Sequence, residues 1–181
     1  MSSQGVRQAD ESTVGLKWRT MLLDQARRVA LGHIYRVAGD SMNPSIRAGD
    51  WLLVRRDAYR RAAPARGDLV IVRDPRETTE KYLKRVVGLP GEEVSVRDGE
   101  LLIDGGRLSE PYLEGLPSAV GFETKSWRLG QGQYFVVGDN RAHSTDSREF
   151  GPVESRLIVG KATRLVWPPS RWSRVGAPGH S

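Results

Sequence analysis

Two short runs put groups capable of nucleophilic chemistry into settings that sharpen them. Ser41 follows Gly39 and Asp40 in the run Tyr35–Leu53, YRVAGDSMNPSIRAGDWLL, where an apolar strand ends at a Gly-Asp-Ser turn and Pro44 breaks the backbone again. A serine there projects from a turn, free to attack a substrate or simply to close the turn. Its hydroxyl is a weak nucleophile until a base takes its proton, and the usual base is histidine. Of 3 histidines, His33 precedes the first strand and His180 lies near the end, leaving His143 as a triad candidate. A lysine serves instead where burial disfavours its ammonium, drawing the pKa from about 10.4 toward about 7 to 8. The run Lys81–Glu92, KYLKRVVGLPGE, offers one. Strand alternation puts Tyr82, Lys84 and Val86 on one face and Lys81, Leu83 and Arg85 on the other. Lys84 thus fits the requirement better than Lys81, with an ordinary exposed strand lysine as the competing reading. Cysteine is absent, which removes thiol nucleophiles, disulfides and thiolate metal sites together.

A third run, Tyr134–Val153, YFVVGDNRAHSTDSREFGPV, follows an apolar strand with a dense polar loop. Ser, Asn, Asp and Arg at that density can build a hydrogen-bonded scaffold beside an active site. A calcium loop is excluded, because its sixth position counted from Asp139 is Ser144 instead of Gly and its twelfth is Phe150 instead of Glu. No metal or cofactor site is read from the sequence.

The elements that must position these groups are strands. With 20 Gly and 10 Pro among 181 residues, 38% of them hydrophobic, the chain can bury a core but is cut into short pieces by turns. Strands are predicted near Ile34–Val37, Trp51–Arg55, Asp68–Arg73, Lys81–Val87, Glu93–Arg97, Glu100–Ile103, Gln133–Val137 and Ile158–Val166, as in an all-β domain. Asp98-Gly99 predicts a type I′ hairpin turn. Leu16–Leu31 reads as an amphipathic helix with Trp18, Leu22, Ala26 and Val29 on one side, either folded onto the domain or lying in a headgroup layer. No run has the roughly 20 apolar residues that a spanning helix needs, and Met1–Ala30 is too charged for a secretory signal. The net charge of +6 comes from two basic blocks flanking an acidic middle. No zinc-finger, helix-turn-helix or aromatic RNA-binding pattern accompanies the arginines, so an anionic lipid surface is preferred to nucleic acid as the partner of this charge.

The segments GDSMNPSI, KRVVGLPGE and GDNRAHSTDSREFGPV, in that order over about Tyr35 to Trp167, resemble the conserved boxes of the type I signal peptidases, which are serine/lysine endopeptidases. The resemblance implies Ser41 as nucleophile and Lys84 as general base. It implies that Met42 and Tyr82 line or pack the site, that Ser144 hydrogen-bonds the lysine amine, and that Asp146 and Arg148 hold the loop in shape. Some relatives have a Ser or Thr oxyanion donor two residues before the nucleophile. Here that position is Gly39, leaving the second donor to a backbone N–H or an ordered water. His143 stands where relatives often have Asn and is read as a loop residue. The implied substrates are preproteins whose signal peptides end in small residues of the Ala-x-Ala type, and no cofactor is implied.

The fold expected is an all-β, mainly antiparallel, barrel-like catalytic domain over residues 34–90 and 131–168. A hairpin and loop insertion occupies 91–130, a polar N-terminus and amphipathic helix 1–33, and a basic mobile tail 169–181. The resemblance implies membrane association with the catalytic domain on the outer face. Without a spanning segment, a peripheral or cytoplasmic placement stays open. The alternatives are a dedicated maturation protease, a self-cleaving repressor-type Ser/Lys peptidase, which would need an N-terminal DNA-binding motif, and a non-enzymatic basic β domain binding membrane or RNA.

Overall fold

A computed structural model describes residues 32–77, 79–113 and 124–176. The helix expected over Leu16–Leu31 lies outside the described residues. Those described form two antiparallel sheets. The larger has 8 strands: β1 (Gly32–Arg36), β2 (Trp51–Arg55), β3 (Leu69–Arg73), β4 (Lys81–Gly88), β9 (Gln133–Val137), β10 (Val153–Glu154), β11 (Ile158–Trp167) and β12 (Ser173–Arg174). Their order is β1-β2-β11-β3-β4-β9-β10, with β12 added to β11. The smaller sheet holds β5 (Glu93–Arg97), β6 (Glu100–Ile103), β7 (Gly106–Arg107) and β8 (Lys125–Arg128) in the order β7-β6-β5-β8.

Alternation along the central strands explains why the larger sheet is covered on both faces. In β3, Leu69 and Ile71 pack with Met42, Ile46, Leu52, Val54, Ala162 and Leu165. Val70 and Val72 turn the other way, toward Val86, Tyr134, Val136, Val153 and Leu157. In β9 the odd positions Phe135 and Val137 join Val94, Val96 and Leu101 of the smaller sheet. Register shifts in β11, after Ile158, Ala162 and Leu165, and in β4, after Val86, bend the strands and curl the sheet. The Asp98-Gly99 turn has positive φ at both residues, 51° and 77°, as a type I′ hairpin requires.

Two expectations change. The 91–130 region contributes β7 and β8 as well as a hairpin, so it forms a sheet of 4 strands. Residues 169–174, placed in the mobile tail, form a 3-10 turn (Pro169–Arg171) and β12, and Arg171 donates to Asp50 Oδ2 and Ser45 O. A basic residue in this segment therefore has a buried carboxylate to meet, which composition alone does not reveal.

Candidate functional site

Strand β4 delivers Lys84 and the turn after β1 delivers Ser41. Lys84 lies opposite Val70 of β3, on the apolar face that alternation assigns it, and is only 2% exposed. Ser41 opens a tight turn in which Asn43 N–H donates to Asp40 O at 3.0 Å and Ile46 N–H to Met42 O at 2.9 Å. Met42 and Ile46, both buried, anchor that turn in the core. The result is a hydrogen-bonded contact of 2.9 Å between Lys84 Nζ and Ser41 Oγ, residues 43 positions apart.

Burial is the main force on the lysine. It pulls the pKa down from 10.5 to about 8, with Arg148 adding to the fall and Asp146, Asp139 and Glu149 opposing it. Tyr82 stands beside it, its ring centroid 5.2 Å from Nζ and its hydroxyl donating to Asp74 Oδ2 at 3.1 Å. An amine near neutrality in contact with a half-exposed hydroxyl is an arrangement able to take that hydroxyl's proton at mildly alkaline pH.

The loop after β9 closes the site. Asn140 N–H donates to Ser41 O at 3.0 Å and its Nδ2 to Asp40 O at 3.1 Å, so this loop grips the serine turn from outside. Gly138 makes the approach possible: a Cβ there would fall 2.4 Å from Ser41 O and 2.2 Å from Ser144 Oγ. Asp146 and Arg148 are fully buried and joined by two side-chain bonds of 2.8 Å, while Asp146 also accepts from the Gly138 and Arg148 N–H groups. The one-turn helix Ser147–Phe150 starts at that Asp146 cap.

One placement differs from the implied ones. Ser144 is buried beside the site, but its hydroxyl points at the Gly138 backbone and finds no hydrogen-bond partner among the described residues, so the bond to the lysine amine is not formed. His143 is exposed in this loop, as a loop residue was expected to be, with Nδ1 3.4 Å from Asn140 Oδ1. Gly39 sits in the turn at φ +78° with open space where a side chain would project.

Sequence reasoning passed over Arg85, Asp139, Asn140 and Arg141. Arg85 is buried and holds Asp139 through bonds of 2.8 and 2.6 Å. The signal available was the unbroken run GDNR directly after an apolar strand, but it names no partners. Among the described residues no cluster of His, Asp and Glu is arranged to hold a metal ion.

The family model described as "Signal peptidase, peptidase S26" matches residues 19–167. Signal peptidase I V of Bacillus subtilis is 38% identical over 137 residues, 70% of this chain and 80% of that protein. Signal peptidase I of Leptolyngbya laminosa is 32% identical over 174 residues, 92% of this chain and 82% of that one. A solved signal peptidase I from Enterococcus faecalis aligns with TM-score 0.49 and 35% identity over 56% of this chain and 97% of its own.

Proposed function

The chain belongs to the signal peptidase family, peptidase S26, and from that premise we propose that it is a signal peptidase I-like serine endopeptidase with Ser41 as nucleophile and Lys84 as general base. The observation that carries this reading is the 2.9 Å contact between Ser41 Oγ and a buried lysine amine. Neutral Lys84 takes the Ser41 proton as Oγ attacks the peptide carbonyl. The resulting lysine ammonium protonates the departing amine, leaving an acyl-enzyme. Lys84, neutral again, then takes a proton from water, which attacks the ester and frees the new carboxylate while Ser41 recovers its proton.

The developing oxyanion needs fixed donors, each worth about 100- to 1,000-fold in rate. The Ser41 backbone N–H supplies the first, and it donates to no described residue. With Gly39 lacking a hydroxyl, the second donor is a backbone N–H or an ordered water. The substrates are preproteins whose signal peptides end in Ala-x-Ala, bound as an extended strand so that main-chain bonds give affinity and shallow pockets reject large side chains.

The family is membrane-associated, and no helix among the described residues is long and apolar enough to cross a bilayer. Peripheral contact with a lipid surface is supported by Trp51 and Trp167, paired across β2 and β11 and exposed together with Trp172 and Ile34. Exposed Arg164 and Arg174 pair across β11 and β12 and suit anionic headgroups.

Incubation of the protein with detergent and a preprotein tests the dyad. Wild type is expected to cut after Ala-x-Ala, and Ser41→Ala and Lys84→Ala to leave the preprotein whole. Either variant cutting at the wild-type rate overturns the assignment.

A further inference from the structure

The segment after β7 reaches back to the site through two side chains that the mechanism above does not use. Glu110 accepts from both terminal nitrogens of Arg141, at 2.5 and 2.9 Å, with the two side chains 4% and 2% exposed. Tyr112, in the 3-10 turn Pro111–Leu113, donates its hydroxyl to Glu110 Oε1 at 2.6 Å and lays its ring 3.8 Å from the Arg85 guanidinium. Each arginine leads to one half of the dyad. Arg85 follows Lys84 in β4 and forks onto Asp139. Arg141 Nε donates to Gly138 O at 2.8 Å, and between Asp139 and Arg141 lies Asn140, which grips the Ser41 turn.

We propose that Glu110 and Tyr112 are positioning residues: a buried clamp, supplied from outside the sheet that carries Lys84, which presses the Gly138–Arg141 turn against β4 and so keeps Ser41 and Lys84 in reacting contact. This rests on the dyad reading of the preceding section. A buried ion pair contributes little net stability relative to apolar residues of similar volume, because desolvation offsets its attraction, but it fixes where its two arms lie. Here the arms tie the insertion to the turn whose neighbour holds the nucleophile. The clamp touches neither substrate nor reacting atoms. Its effect belongs in kcat, since a displacement of about 1 Å at reacting groups costs about 100-fold.

The test uses the full chain in detergent with a preprotein-derived peptide carrying Ala-x-Ala before the scissile bond. Glu110→Gln weakens the grip on Arg141, and kcat should fall about 10- to 100-fold with KM within about threefold. The pH-rate curve should also move to higher pH, because a loosened turn admits water to Lys84. The groups facing that amine are Tyr82 of its own strand, Ser41, and Asp139, Asp146, Arg148 and Glu149 of the following loop and helix, and Glu110→Gln alters none of them. Simple destabilisation would instead lower the amount of folded enzyme and leave its pH dependence in place. Tyr112→Phe keeps the ring on Arg85, removes only the bond to Glu110, and should lower kcat by about 3- to 10-fold. Wild-type kcat and pH dependence in both variants, or losses that vanish once rates are normalised to folded protein, overturn the clamp. If Ser41→Ala and Lys84→Ala still cleave at the wild-type rate, the dyad falls and the clamp falls with it. If those two are inactive while the Glu110 and Tyr112 variants are unimpaired, the clamp alone fails.

Discussion

At the scale of single residues, Lys84 bears a strain that the proposed role as general base would require. A pKa of about 8 against 10.5 means that the interior opposes the ammonium by about 3 kcal/mol. The sign follows from proton counting. Between the folded and unfolded values the unfolded chain binds more protons, so stability rises with pH through roughly 8 to 10.5, and below 8 the whole penalty weighs on the fold. Lys84→Met keeps the length and removes the charge. It should abolish cleavage yet raise stability at pH 7 by about 1 to 3 kcal/mol, a gain that shrinks toward pH 10.5. Urea midpoints at the two pH values measure this, and a variant less stable at both would contradict burial as the cause of the shift. Turn chemistry and strand period, which act locally, made Ser41 and Lys84 candidates, while their roles as nucleophile and base came from the resemblance alone and stand here as a proposal. Arg85 was not legible. Alternation put it opposite Lys84, where an arginine reads as solvated, and its burial depends on Asp139, 54 residues away in sequence.

At the scale of elements, the loop after β9 is built around close approach. Gly138→Ala would drive a methyl group into Ser41 O and the Ser144 hydroxyl, at 2.4 and 2.2 Å, and backbone has little room to yield. The serine turn and the loop must then separate. Cleavage should fall about 100-fold, and thermal unfolding should show a loss of about 1 to 3 kcal/mol. Wild-type activity in that variant would mean that the loop does not govern the serine. The strands around this loop were read from sequence to within a residue or two, since alternating Val, Ile and Leu between turn residues is a strong local signal. Two-residue β7, β10 and β12 have no period to detect, and β8, Lys-Ser-Trp-Arg, has a single apolar residue that shows its strand character only against β5. The order β1-β2-β11-β3 joins strands more than 80 positions apart, and such pairing has no local trace.

At the scale of the whole molecule, the proposed peripheral contact puts a bilayer against the exposed tryptophan end of the larger sheet. Replacing Trp167 and Trp172 together by Ser should reduce co-flotation with anionic vesicles several-fold while leaving cleavage of a short soluble peptide unchanged. Added salt should weaken wild-type binding, since screening shortens the reach of the arginines. Flotation indifferent to both changes would place the membrane contact elsewhere.

The most direct measurement is the titration of Lys84 itself, followed by NMR of isotope-labelled lysine side chains and assigned with Lys84→Met, beside the pH dependence of kcat/KM, which like the titration reports the free enzyme. A lysine resonance titrating near 8, coincident with the rise in kcat/KM, is the predicted result. A Lys84 resonance that titrates at the ordinary lysine value, with cleavage already complete well below it, would contradict the account.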